Sequence, residues 1–241
     1  MENIKTTAIV LAAGQGKRMQ SSIHKQYLEL QGKPVLYYAL NAFEQSFVNA
    51  VVLVVGKGEE AFCRQEILEK YGITKVKTIV EGGKERYHSV ANGLRAITWQ
   101  CDYVFIHDGA RPLICNAILH RALTSVQAAK ACVVGMPVKD TIKIADENGC
   151  VASTPARSLV WQIQTPQVFD KILITKAYET LLEQENQLLA QGVQITDDAM
   201  VAEYFADISV KLVEGSYQNI KITTPEDLKI AQIFLESQNS E

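Results

Sequence analysis

Short apolar runs alternate along this chain with longer stretches in which apolar residues recur every three or four positions. Residues 7–12, 50–55, 76–80, 103–107 and 131–136 are runs of small, β-branched or aromatic residues and predict buried strands. The spacing between them predicts helices over 35–43, 59–71, 84–97 and 116–129. Strands bounded by glycine and separated by helices are the pattern of parallel strands joined by crossovers. The expected fold is therefore a doubly wound α/β domain, with its ligand site beyond the carboxyl ends of the strands.

Residues 139–157 break the alternation. Asn148-Gly149 stands between alternating residues and predicts a two-residue hairpin turn with positive φ at both positions. A lone two-stranded ribbon is marginal in water, so it must pack on something. A second copy of the chain and a fold-back onto its own domain are the two possibilities. Beyond it, 159–163, 208–213 and 219–222 read as strands, and 171–189 and 196–204 as helices. Thr224-Pro225-Glu226-Asp227 is a helix start with an N-cap, a proline at the first helical position and acids in the positive first turn. Leu228, Ile230, Ala231, Phe234 and Leu235 give that last helix its apolar face.

Composition narrows this picture only a little. The 241 residues are 47 % apolar and 21 % charged, which argues against disorder and fits a single domain over 1–241. The net charge of −3 speaks against nucleic acid as the main partner. No apolar run reaches the ~18 residues of a membrane span, and the first residues run straight into a strand, with no export signal. Cys63, Cys101, Cys115, Cys132 and Cys150 are scattered and form no CxxC, so they read as buried, reduced thiols of a cytoplasmic protein.

Charge matters locally. Between Ala12 and Leu28 the chain carries Lys17, Arg18, His24 and Lys25 and no acid, directly after the first strand. Small residues at Ala12, Ala13, Gly14 and Gly16 allow backbone N–H groups to approach an anion. The segment is neither a dinucleotide fingerprint, which needs glycine where Met19 stands, nor a Walker A loop, which needs four residues between its glycines. Asp108 ends a buried strand and suits a Mg²⁺ held partly by phosphates, or a turn contact with Arg111. His107 reads as a satisfied core residue. After Gly82-Gly83, Arg86 and Ser89 share one face of a helix start and could read a base, a phosphate or simply cap the helix. Thr165, Thr196 and Lys221 sit in weaker segments, and Asp197-Asp198 has no His or Cys at ligand spacing.

Together these segments resemble the 2-C-methyl-D-erythritol 4-phosphate cytidylyltransferases of the non-mevalonate isoprenoid pathway. The resemblance covers about residues 5–235. It rests on Leu11-Ala12-Ala13-Gly14-x-Gly16-x-Arg18-Met19, Lys25-Gln26-Tyr27 and His107-Asp108-Gly109-Ala110-Arg111-Pro112. Pro137-Val138-Lys139-Asp140-Thr141, Gln164-Thr165-Pro166-Gln167, Ile195-Thr196-Asp197-Asp198 and Asn219-Ile220-Lys221 follow in order.

The resemblance implies a Rossmann-like nucleotidyltransferase domain with a mostly parallel sheet, a protruding β-arm at about 139–157, and a bacterial source. It implies that CTP and methylerythritol phosphate react, with Mg²⁺ at Asp108, to give the CDP-alcohol and pyrophosphate. Arg18, Lys25 and Lys221 would be catalytic. Ala12, Ala13, Gly14, Gln15, Gly16, Gly82, Arg86, Ser89 and Asp108 would hold CTP. Arg111, Asp140, Thr141, Arg157, Thr165 and Thr196 would hold the acceptor, some of them across a homodimer built on the arm. Gln218 and Lys139 depart from the residues common at those places in relatives. A cytidylyltransferase for another polyol phosphate, such as ribitol 5-phosphate, and a non-catalytic nucleotide-binding regulator remain as alternatives. A sugar-1-phosphate nucleotidyltransferase is a third.

Overall fold

In the computed structural model, which describes residues 4–14 and 24–238, the first apolar run forms β1 (Thr6–Ala12). Its side chains alternate between faces: Ala8, Val10 and Ala12 enter one core layer and Ile9 the other. A small ribbon, β2 (Glu29–Leu30) and β3 (Lys33–Pro34), leads into α1 (Val35–Glu44). Then come β4 (Ala50–Val55), α2 (Glu60–Phe62, continued by a wider helical turn Cys63–Glu69), β5 (Val76–Glu81) and α3 (Arg86–Arg95). They are followed by β6 (Tyr103–Asp108), α4 (Asn116–Ala129) and β7 (Ala131–Pro137). The arm carries β8 (Ile144–Ala145) and β9 (Val151–Ser153). The chain ends with β10 (Trp161–Asp170), α5 (Lys171–Ala190), α6 (Asp198–Ala206), β11 (Lys211–Glu214) and α7 (Pro225–Gln238).

Seven strands form the central sheet in the order β11-β7-β10-β6-β1-β4-β5. Every neighbouring pair is parallel except those of β10, which runs antiparallel to β6 and β7. Helices cover both faces. Leu36, Leu40 and Phe43 of α1 pack with Ile118, Leu119 and Val126 of α4 on one face. Val90 and Leu94 of α3, Ile174 and Leu181 of α5, and Val201 of α6 pack on the other. Each such fully buried side chain contributes ~1.5–3 kcal/mol relative to exposure. This is the doubly wound α/β architecture expected from the alternation.

The structure departs from the sequence reading in several places. The strand expected at 159–163 begins at Trp161 and runs on to Asp170, because β7 leads out to the arm and β10 returns beside it. Residues 219–222 are no strand: Ile222 N–H bonds Ala110 O, and Asn219 is held by its side chain. Only Gly149 takes positive φ at the arm's tip, at +79°. Asp146 Oδ1 accepts from Asn148 and Cys150 N–H, and the pairing shifts between Ile144 and Ala145, so the turn is a bulged one and not the two-residue kind. The helix expected from Lys84 starts at Arg86, since Glu85 N–H is capped by His88 Nδ1. Asp197, not Thr196, caps α6 by accepting Met200 N–H. Ile230 faces outward, 42 % exposed. Cys63 and Cys132 are buried, but Cys115 and Cys150 are exposed, and none of the five is bonded to another.

Candidate active site

The chain turns from β1 to β4 and β5 on one side, then returns to place β6 on the other. Their carboxyl ends diverge at that reversal, which is where open α/β sheets bind ligands. A pocket of about 580 Å³ opens there. Ala12, Ala13 and Gly14 leave β1 along its floor, Asp108 ends β6 at its centre, and Lys25, Arg86, Ser89 and Lys221 line its walls. The register Leu11↔Asp108 sets the first strand's exit beside the carboxylate.

Asp108 is the electrostatic hub. Its Oδ2 lies 2.7 Å from Lys221 Nζ and 3.9 Å from Arg111 Nε, and its Oδ1 lies 3.7 Å from Arg86 Nε. Burial would raise its carboxyl, but Lys221, Arg86 and Arg111 outweigh that and hold it well below the usual carboxylate range. Beneath it, His107 is fully buried, and burial pushes its imidazole down to about 4. Arg111 O accepts from Nε2 at 3.2 Å, so Nδ1 is the acceptor for the Thr165 hydroxyl at 3.0 Å. Thr165 Oγ1 in turn accepts Asp108 N–H at 3.1 Å. His107 is thus a core residue that fixes the backbone on which Asp108 stands.

Arg86 is locked from behind. Its Nη1 and Nη2 each lie 2.7 Å from the two oxygens of Asp198, which is wholly buried and also accepts the Tyr178 hydroxyl at 2.5 Å. Burial pushes the Tyr178 hydroxyl well up, so it stays protonated and donates. Gln167 ties the start of α6 to β10 through Asp197 Oδ2 and Ala199 N–H. On the opposite wall, Ser89 Oγ accepts Gly83 N–H at 3.0 Å. A Cβ on Gly82 would stand 2.4 Å from Ala13 Cβ, so only glycine lets this loop close against the end of β1.

Most of the expected site residues converge. Lys25, Lys221, Ala12, Ala13, Gly14, Arg86, Ser89 and Asp108 line the pocket, and Gly82 sits directly beneath it. Arg111 is buried beside Asp108, its Nη1 bonded to Asn219 O. Thr165 is buried below, its hydroxyl spent on His107 and Asp108. Thr196 is exposed at the foot of α6. Asp140, Thr141 and Arg157 are exposed on the arm and do not line the pocket; Arg157 Nη1 bonds Lys139 O. Gln15, Gly16 and Arg18 lie outside the described residues.

Gly83, Asp198 and Tyr178 join the site without a local signal: Gly83 adjoins Gly82, and Asp198 stands in an acidic pair that lacks a His or Cys at ligand spacing. Among the described residues no cluster of three His, Cys, Asp or Glu could hold a metal unaided. Among the described residues Asp108 and Glu85 are the carboxylates that line the pocket, and Asp108 ends β6 with Oδ1 its less occupied side, which fits a Mg²⁺ brought in on phosphates and not an all-protein metal cage. No helix among the described residues is long and apolar enough to cross a membrane.

Comparison with known proteins extends over this whole framework. The family model described as 2-C-methyl-D-erythritol 4-phosphate cytidylyltransferase matches residues 6–237. Curated proteins of that name from Lachnoclostridium phytofermentans and Lachnospira eligens are each 51 % identical, over 96 % and 95 % of this chain and 96 % and 98 % of their own. The crystal structure of 4-diphosphocytidyl-2C-methyl-D-erythritol synthase from Anaerococcus prevotii matches with a TM-score of 0.82 at 34 % identity, covering 98 % of this chain and all of that one. A fold and a sequence match that both run from β1 to α7 have one common explanation: this chain belongs to the 2-C-methyl-D-erythritol 4-phosphate cytidylyltransferase family.

Proposed function

We propose that the pocket joins CTP to 2-C-methyl-D-erythritol 4-phosphate and releases pyrophosphate. The observation that carries this reading is the approach of Arg86, Arg111 and Lys221 to the ionised Asp108 at the sheet's reversal point, with Lys25 lining the same pocket. Two anionic reactants need cations and positioning more than they need a base. An oxygen of the acceptor phosphate is already ionised. It attacks the α-phosphorus, the new P–O bond forms, and the bond to the bridging oxygen breaks with its electron pair leaving on pyrophosphate. Charge crowds on the α-phosphate as this happens, so preorganised ammonium and guanidinium groups lower the barrier. Among the described residues no histidine lines the pocket, in keeping with a reaction that moves no proton.

Lys25 is assigned to the α-phosphate, together with Arg18. Backbone N–H groups from Ala12 to Gly16 are assigned to the triphosphate. Gly82, Arg86 and Ser89 are assigned to the nucleoside end. Lys221, kept in place by Asp108, is assigned with Arg111 and Thr196 to the acceptor phosphate, and Thr165 supports Asp108 from below. Asp108 would hold Mg²⁺, which when bound neutralises phosphate charge.

The arm exposes Ile144 and Val151, and the segment that returns from it into β10 exposes Leu159, at 81 %, and Ile163. We assign their cover to a second copy of the chain, which would bring Asp140, Thr141 and Arg157 to the neighbouring pocket. Five unbonded cysteines suit a reducing compartment, so the working place is the cytoplasm.

A coupled pyrophosphate-release assay with CTP, Mg²⁺ and either methylerythritol phosphate or ribitol 5-phosphate tests the reading. Turnover with the first acceptor is expected. Turnover confined to ribitol phosphate would overturn the acceptor, and CTP binding without release from any polyol phosphate would overturn catalysis.

A further inference from the structure

Glu59 lies outside the pocket, in the turn after β4, yet its one carboxylate reaches both sides of Lys25. Oε1 is 2.5 Å from His24 Nδ1, and Oε2 accepts the Tyr27 hydroxyl at 2.7 Å. The carboxylate is itself anchored, since Oε2 also accepts Gly56 N–H at 2.9 Å. Between the two gripped residues, Gln26 is buried and donates its side-chain N–H to Ala12 O at the end of β1. The short helical turn Lys25–Tyr27 and its N-cap His24 are therefore tied at three places: His24 and Tyr27 to the β4 turn, and Gln26 to β1. Lys25 and Gln26 of this turn both line the pocket beside residues 12–14, and Lys25 is the one that carries a charge.

The polarity of the clamp follows from burial. Burial, with Cys63 and Glu59 alongside, pushes the Tyr27 hydroxyl well above its ordinary range, and burial pushes the Cys63 thiol up to about 11. Both groups stay protonated. Tyr27 spends its hydrogen on Glu59, and Cys63, 3.1 Å away, donates its own to the Tyr27 oxygen. Phe62 packs edge-on against the Tyr27 ring, with centroids 5.0 Å apart.

We propose that Glu59 is a positioning residue for the transfer reaction, acting through Lys25. It touches neither substrate. By holding His24 and Tyr27 it sets where the Lys25 ammonium stands against the reacting phosphate. The proposal rests on the role given to Lys25 above. An ammonium on a four-carbon stem loses its advantage when its backbone drifts by an ångström or so, and such misplacement costs ~10²-fold in rate.

The test is a double-mutant cycle on the full chain: wild type, Glu59→Ala, Lys25→Ala and the double variant, with kcat and both KM values measured. Glu59→Ala is expected to lower kcat by ~10–100-fold while the KM for the acceptor moves much less. In the Lys25→Ala background the same substitution should change kcat by less than about twofold, because the group it positions is gone. Equal fold-losses in both backgrounds, or a wild-type kcat in Glu59→Ala, would overturn the positioning role while leaving Lys25 catalytic. A wild-type kcat in Lys25→Ala would overturn the reading of Lys25 and this inference with it. Glu59→Gln gives the same cycle should the alanine variant fail to fold. Its length is unchanged; its oxygen can still accept from Tyr27 and its N–H can donate to His24 Nδ1 only in the tautomer that leaves that nitrogen unprotonated, so a smaller loss with the same dependence on Lys25 is expected.

Discussion

Replacing Asp198 by asparagine should destabilise this protein more than any other single-atom-scale change near the pocket. The carboxylate is wholly buried and engages three donors: both Nη atoms of Arg86 at 2.7 Å and the Tyr178 hydroxyl at 2.5 Å. Asparagine keeps the shape but turns one oxygen into an NH₂ group. At either position that group faces an Arg86 N–H, donor against donor. The charge also disappears, leaving the Arg86 guanidinium with Asp108 at 3.7 Å as its remaining anion. Removing one partner of a buried pair costs ~3–5 kcal/mol. For a chain of 241 residues, at ~2–4 °C per kcal/mol, Tm should drop by roughly 6–20 °C. Urea denaturation followed by circular dichroism measures the loss directly. Tyr178→Phe supplies the control: it deletes one donor and leaves the ion pair, so it should cost only ~1–2 kcal/mol. A loss below 1 kcal/mol for Asp198→Asn, or an equal loss for the two variants, would refute the charge argument.

Four further outcomes are expected. Deleting residues 140–154 should leave a folded monomer without activity, read by light scattering and pyrophosphate release, since Ile144 and Val151 of the arm are 50 % and 61 % exposed in their own chain; a fully active monomer would detach the arm from the site. His107, held neutral in the fold with its imidazole pushed down to about 4, titrates near 6.5 when unfolded. Stability should therefore be full above pH 6.5 and fall by up to ~3 kcal/mol toward pH 4, with Asp108 adding its own loss only at lower pH; a slope unchanged in His107→Asn would remove His107 as the cause. Gly82→Ala should cost ~1–3 kcal/mol by overpacking against Ala13 and Ser89. Gly14→Ala meets no described protein atom within 4 Å, so its Tm should hold while calorimetry shows weakened CTP binding; an unchanged affinity would place the triphosphate elsewhere.

Much of this molecule could be read from the chain itself. Local periodicity is set by which residues adjoin, so β1, β4, β5, β6, β7 and their crossover helices emerged close to their true bounds. The acid-free stretch from Ala12 to Leu28 and the acid ending β6 are local too, and marked where a polyanion would lie. The order in which the motifs follow one another carries the resemblance to the family.

What the sequence could not decide were matters of direction and of long-range partnership. The apolar run that begins at Trp161 says nothing about whether it joins the sheet parallel or antiparallel; the arm's return path along β7 decided that. Residues 219–222 have strand-like composition, yet β11 already occupies the sheet edge beside β7, and Asn219 and Lys221 serve Thr165 and Asp108 instead. Asp198 looked like half of an acidic pair because its partner lies 112 residues away. Glu59 looked like the start of a helix because His24 and Tyr27 are 35 and 32 residues distant. An ion pair is a property of two positions in space, so residue type could name the candidates, and only the packing of α3 against α6 and of the β4 turn against Lys25–Tyr27 could choose among them.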